Sequence, residues 1–310
     1  MGVAVHRDED PWGDGEGAVR AELAVHPAAT WLYVGEPHGI LRIPLGADGR
    51  PEAPAEWTPG IRPYGLAVDA TGSCLYVTDP PGGRLLWHAL DPAGRPVRGV
   101  GWQVYTPAGP DLAAAVAAHP FLPLLYVADR EGTSAATLLP LGHGGRPDDE
   151  GTAALRVRGT SPLHQGLAVH PAGTRLYVSD PDERALNVVA LRPDGRADPD
   201  GPARTLTLQV PSAPGPLAVH PAAACLYFAD RETGALHRAG LAPDGLPDPD
   251  TGPERLPGLT APRCTGVAVH PRGTYLYASA TVTLAVTALD PRTGRPSGRP
   301  VTLPLPRHRP

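Results

Sequence analysis

The stretch LAVHPAGTRLYVSDPDERALNVVALRPDGR, residues 167–196, holds three short apolar runs separated by turn chemistry. LAV stops at His-Pro, and the following PAGT supplies the Pro and Gly of a tight turn. RLYVSD and ALNVVAL are β-branched and aromatic runs bounded by Asp and Pro, which is how strands read. PDGR closes the third run with the Asp-Gly pair that hairpin turns favour. A fourth run, RTLTLQV from Arg204, completes the unit. No helical period runs between these short runs, whereas a unit of paired helices would need apolar residues sustained at i, i+3 and i+4.

The same unit recurs along the chain. The first run appears as LAVHP at 23–27, LAVDA at 66–70, VAAHP at 116–120, LAVHP at 167–171, LAVHP at 217–221 and VAVHP at 267–271. Its fourth position is His26, Asp69, His119, His170, His220 and His270, in steps of 43, 50, 51, 50 and 50 residues. WLYVGE, CLYVTD, LLYVAD, RLYVSD, CLYFAD and YLYASA follow at near-constant distance. A fixed period of this size, four strands to the unit, predicts an all-β, six-bladed β-propeller with four antiparallel strands per blade. Both faces of the strands are apolar, as packing between two neighbouring blades requires. An open row would expose two sheet edges, so the ring is expected to close. The chain is read as a single domain, residues 1–310, with blades at 22–61, 62–111, 112–163, 164–213, 214–263 and 264–305; residues 2–6 are a candidate ring-closing strand.

Composition narrows the chemistry. Of 310 residues 27 are Lys or Arg and 32 Asp or Glu, a net charge of −5 with no long run of either sign. That disfavours a nucleic-acid track or a membrane-surface patch. There is no Lys, which removes Schiff-base and P-loop chemistry. Cys74, Cys225 and Cys264 have no C-x-x-C spacing, so neither a disulfide scaffold nor a zinc knuckle is expected. MGVAVHRDEDPWGDGEG lacks the pattern of a secretion signal, and no segment has the apolar length of a membrane span. The expectation is a cytoplasmic monomer without nucleic-acid or membrane partners.

The run VHPAGTRLYVSDPDERALNVVAL, 169–191, resembles the YVTN-type repeat of the lactonase-like β-propellers, the family that includes 6-phosphogluconolactonases and fungal muconate cycloisomerases. The resemblance covers residues 22–305. It implies the propeller fold and, for function, lactone opening or its reverse. Family lactonases have seven blades where this chain has six. The Asn-rich calcium centre of some six-bladed lactonases would have to be built with one Asn, Asn187, and the acidic turns with Asp198, Asp200, Asp248 and Asp250 offer too few ordered oxygens. No metal and no cofactor are expected.

In a propeller the loops from strand four to the next strand one, and from strand two to strand three, open on one face of the channel, where ligands usually sit. The residues leading into strand one differ between blades: Arg20 and Glu22, Arg62 and Tyr64, Asp111, His164 and Gln165, then Arg263 and Cys264. The second-to-third loops add Glu36 and His38, Arg130, Arg231 and a repeated Asp: Asp79, Asp129, Asp180 and Asp230. Repetition at one scaffold position reads as an Asx-type turn cap, and the anchor histidines likewise as hairpin hydrogen-bonding residues. The blade-specific residues are the candidates. His164 and Glu22 are the expected acid or base, with Arg62, Tyr64, Arg263, Gln165, Arg130 and Arg231 binding the substrate.

Two functions stay open at this level. One is a noncatalytic module presenting a channel-mouth site to a small-molecule ligand or protein partner. The other is a lactone-opening hydrolase or cycloisomerase acting on a small carboxylate or lactone. No G-x-S-x-G elbow and no H-E-x-x-H occur.

Overall fold

Each LYV tripeptide lies in the second strand of a four-stranded antiparallel sheet whose strands follow chain order. The structure, a computed structural model, describes residues 22–79, 83–106, 112–129, 136–155, 166–198, 204–207, 212–248, 250–260, 264–280 and 282–306. Blade 1 comprises β1 (Leu23–Val25), β2 (Trp31–Glu36), β3 (Gly39–Pro44) and β4 (Glu56–Pro59). Blade 2 comprises β5 (Gly65–Val68), β6 (Cys74–Asp79), β7 (Arg84–Ala89) and β8 (Gln103–Tyr105). Blade 3 comprises β9 (Leu112–Ala118), β10 (Leu124–Asp129), β11 (Ala136–Pro140) and β12 (Ala153–Leu155). Blade 4 comprises β13 (Leu167–Val169), β14 (Arg175–Asp180), β15 (Ala185–Ala190) and β16 (Arg204–Thr207). Blade 5 comprises β17 (Pro214–Val219), β18 (Cys225–Asp230), β19 (Ala235–Gly240) and β20 (Pro253–Thr260). Blade 6 comprises β21 (Gly266–Val269), β22 (Tyr275–Ala280), β23 (Thr283–Ala288) and β24 (Val301–Pro304).

First strands of successive blades touch all the way round, from β1 with β5 to β21 with β1, so they are innermost and the ring is closed. The buried side chains form six clusters, one per seam. Trp31, Tyr33 and Ile40 pack on Ile61, Leu66 and Leu75 of blade 2. Leu32, Val34 and Leu41, from the other face of the same strands, pack on Ala268, Tyr277 and Leu284 of blade 6. Alternation along each strand therefore feeds two neighbours, which is why both faces read as apolar.

The repeated polar residues lock the seams. Every LYV tyrosine is fully buried, and its hydroxyl donates to the carbonyl of the turn glycine in the next blade. These bonds run Tyr33 to Gly94, Tyr76 to Gly145, Tyr126 to Gly195, Tyr177 to Gly245 and Tyr277 to Gly49, at 2.5–2.8 Å, with Tyr227 to Gly294 the sixth. Burial raises the pKa of these phenols, so they stay neutral donors. The anchor histidines cap their own hairpins, as His26 Nδ1 does in accepting the Ala28 N–H at 3.2 Å. In blade 2, Asp69 takes that role and accepts the Cys74 N–H at 2.8 Å. The opposite ring nitrogen can reach across the seam: His26 Nε2 lies 3.1 Å from the Gly72 carbonyl and His220 Nε2 lies 3.3 Å from that of Gly273. Residues 2–6, the candidate closing strand, lie outside the described residues. Blade 6 has four consecutive strands of its own, and its seam with blade 1 is held by the Tyr277 bond and by Arg50 Nε, which donates to the Tyr275 hydroxyl at 2.9 Å.

Candidate functional site

β1 starts, β2 ends and β5 starts at the same end of their sheets, so the loops there share one face, the channel mouth. Four predicted site residues, His164, Gln165, Arg130 and Arg263, lie outside the described residues. The other four are placed. Glu22 stands half-buried just ahead of β1, and its backbone carbonyl accepts the Gly35 N–H at 2.9 Å. Gly35 in turn abuts blade 2: a Cβ built on it would sit 3.0 Å from Pro63, between Arg62 and Tyr64. Arg62 is exposed, with its guanidinium carbon 5.9 Å from the Tyr64 ring centroid, while Tyr64 is buried and donates its backbone N–H to the Thr78 carbonyl at 3.1 Å. The backbone at Glu22 and the loop bearing Arg62 and Tyr64 thus both border Gly35, where blades 1 and 2 join. Arg231 does not join them; it is exposed on blade 5, with its N–H bonded to the Ala213 carbonyl at 2.8 Å.

Cys264 stands ahead of β21 at the same end of blade 6 and packs in the cluster between blades 5 and 6. It is buried, and its thiol donates to the Gly266 carbonyl at 3.4 Å. Burial, the largest cause, pushes its pKa up to about 12, and the nearby Glu22 charge acts in the same direction. A thiol held neutral is no nucleophile at physiological pH.

The repeated Asp position separates scaffold from site. Asp230 accepts the N–H groups of Glu232 and Thr233 at 2.8 and 3.1 Å, Asp180 accepts that of Glu183 at 3.1 Å, and Asp79 is held by Arg84 at 2.7 Å. In blade 1 the position is Glu36, and β2 and β3 are joined by Pro37 and His38 alone. Pro37 has no N–H to offer a cap. The Glu36 side chain is half-buried, and its Oε1 is buried with no hydrogen-bond partner. Burial pushes this carboxyl up to about 7. Sequence reasoning placed Glu36 among the loop residues without selecting it. The signal was present in GEPHG, where the second-to-third loop is short and the repeated Asp is missing.

Two more buried hydroxyls without partners, Ser179 and Ser212, lie at this same end in blades 4 and 5. Native proteins rarely leave such atoms unpaired, and water or a ligand usually fills the gap. Among the described residues, no group of three or more His, Cys, Asp and Glu side chains is placed to share a metal ion. Asn187 is buried on β15, a third strand away from the channel.

No family model and no curated protein matches the chain. Solved structures do. A chain from a nidogen/laminin complex superposes with a TM-score of 0.66 at 16% identity, over 89% of this chain and 93% of that one. The periplasmic gluconolactonase PpgL of Pseudomonas aeruginosa gives 0.63 at 15%, over 92% and 85%. A putative 6-phosphogluconolactonase of Bacteroides fragilis gives 0.58 at 16%, over 90% and 79%. The fold is thus a β-propeller, shared with the nidogen/laminin chain and the lactonases alike, and at these identities the likeness extends to fold alone.

Proposed function

We propose that this protein is a noncatalytic binding propeller whose small-molecule site is the channel-mouth rim between blades 1 and 2. The observation that carries the reading is the junction at Gly35, which joins the backbone at Glu22 to the blade 2 loop bearing Arg62 and Tyr64. Those are residues where the blades differ, whereas the repeated Asp, His and Tyr side chains are committed to turns and seams. An exposed guanidinium over an aromatic ring suits a carboxylate, and a carboxyl such as that of Glu22 at the same end of the channel suits the hydroxyls of a polyhydroxylated ligand. A sugar acid combines both features, and two of the similar structures are described as lactonases of such acids.

The test is calorimetric titration with gluconate and with glucono-δ-lactone. Gluconate is expected to bind wild type, and Arg62→Ala to weaken binding at least about tenfold, the loss of one charge-assisted hydrogen bond. Absence of binding by either compound would overturn the reading.

A second reading, lactone opening, draws on Glu36, because a carboxyl poised near neutrality suits general acid or base work. Its check is a pH-stat assay: base consumption with glucono-δ-lactone above the spontaneous rate, abolished in Glu36→Gln, would replace the binding reading with the enzymatic one.

A further inference from the structure

Arg42 stands at a position that is apolar in four of the six blades. Opposite the LYV tyrosine, the third strand carries Trp87, Leu138, Val188 and Val286 in blades 2, 3, 4 and 6, but Arg42 in blade 1 and Arg238 in blade 5. Each of these arginines pairs with a glutamate on its fourth strand, and the same glutamate meets the turn arginine of the next blade. Arg42 Nη2 lies 2.5 Å from Glu56, with Arg95 Nε 3.7 Å from that carboxylate. Arg238 and Arg295 reach Glu254 at 3.1 and 3.4 Å.

The two clusters part at a turn carbonyl. Arg238 Nη2 donates to the Thr293 carbonyl at 2.7 Å, which leaves it one buried N–H atom without an acceptor, Nε. In blade 1 the equivalent acceptor, the Ala93 carbonyl, is taken by the indole N–H of Trp31 at 2.5 Å. Trp31 opens β2 where blade 5 has Cys225. Arg42 is only 7% exposed, and both its Nε and its Nη1 are buried without an acceptor. The guanidinium carbons of Arg42 and Arg95 lie 5.3 and 5.4 Å from the Trp31 ring centroid, so two cations share one aromatic ring.

We propose that the seam between blades 1 and 2, at the end opposite the channel mouth, binds a small oxyanion between Arg42 and Arg95 beside Trp31. A guanidinium is always charged and holds its donors in a fixed plane, the geometry that oxyanions match. Buried N–H groups without an acceptor call for one, and the bonds they make to an anion are charge-assisted. Arg95 is free to turn towards it, because its 3.7 Å contact with Glu56 joins two exposed side chains and contributes little. Asp91, the other carboxylate near Arg42, is committed to its own turn, where it accepts the N–H groups of Ala93 and Arg95 at 2.9 and 2.8 Å. The site lies at the far end of the sheets from the rim and does not depend on the reading of that rim.

The experiment titrates inorganic phosphate into the full chain by calorimetry at pH 7 and fixed ionic strength. Wild type is expected to bind, and Arg95→Ala to weaken binding at least about tenfold, the loss of one charge-assisted hydrogen bond. Trp31→Phe keeps a ring but frees the Ala93 carbonyl for Arg42, as Thr293 serves Arg238, and is expected to weaken phosphate binding as well. Arg295→Ala at the seam of blades 5 and 6, and Arg62→Ala at the rim, are expected to leave the affinity within about twofold. Arg95 and Arg295 side chains are 54% and 63% exposed, so their truncation leaves the core intact. Absence of phosphate binding by wild type would overturn the proposal. Equal losses for Arg295→Ala and Arg95→Ala, or a loss for Arg62→Ala alone, would place the anion elsewhere and overturn it too. Wild-type affinity in Trp31→Phe would show that the donors of Arg42 do not hold the anion, with the same result.

Discussion

A methyl group added at Gly145 would stand 2.7 Å from the Tyr76 hydroxyl and 2.5 Å from the Cys74 sulfur, and the residue has a φ of 75°. The turn needs glycine twice over, for its left-handed backbone and for the close approach of the preceding blade. The same constraint recurs at the hairpin glycine: a Cβ at Gly72 would lie 2.6 Å from His26 Nε2. Blade 1 breaks the rule, with Ala29 at this position and a φ of 59°. By the pattern of His26 with Gly72 and His220 with Gly273, the histidine that answers to Ala29 is His270, whose Nε2 is buried without a partner. Ala29→Gly should therefore stabilise the protein. Relief of a left-handed alanine is worth about 1–2 kcal/mol, a restored hydrogen bond adds about 1, and the looser unfolded chain subtracts about 0.4–1. A gain of about 1 kcal/mol or more in urea denaturation is expected, and a loss would refute the crowding argument. At this scale the sequence was half legible. The histidine cap could be read because its partners lie within five residues; the tyrosine latch could not, because its acceptor is a whole blade away.

Between strands, the second-to-third turn shows how one repeated position serves either folding or function. Asp230 is buried and takes two backbone N–H groups of the exposed turn that follows it, so Asp230→Ala removes the side-chain cap of that turn. A cost of about 1–2 kcal/mol is expected, by the precedent of lost side-chain caps. Glu36 holds no N–H group, so Glu36→Ala should leave stability at pH 6 within about 0.5 kcal/mol, as a side chain with no capping role should. Urea melts of the two variants side by side make the comparison. Equal destabilisation would mean that Glu36 also supports its turn, contrary to its unpartnered oxygen. The reading of the Asp ring as turn caps came from its regularity alone, and geometry upholds it for Asp180 and Asp230. The functional candidate came from irregularity, and there the signal was weaker. Four of the eight chosen residues lie beyond what the structure describes, Arg231 stands apart, and the most informative carboxyl was passed over, because a chain read one residue at a time does not show which oxygen has lost its partner.

Across the whole molecule, six blades are joined by six seams of like construction, each with an apolar cluster and a tyrosine-to-glycine bond. The period announced the blade number, but the manner of closure was not legible: an N-terminal strand was a reasonable candidate, whereas the described closure is made by side chains that already recur in every unit. Closure by packing has a measurable consequence. In a closed ring the seam between blades 6 and 1 bears the same free energy as any internal one, while in an open row it would not exist and residues facing it would be exposed. Tyr277→Phe at the closing seam and Tyr126→Phe at an internal seam each remove one hydroxyl and leave one buried glycine carbonyl without its donor. Each should cost about 1–3 kcal/mol, the desolvation of an unsatisfied acceptor. The two losses, measured by urea unfolding, are expected to agree within about 1 kcal/mol, since the sites are distant and independent. A normal loss for Tyr126→Phe with none for Tyr277→Phe would mean that the ring is open in solution, with blade 1 held to blade 6 by nothing that folding depends on.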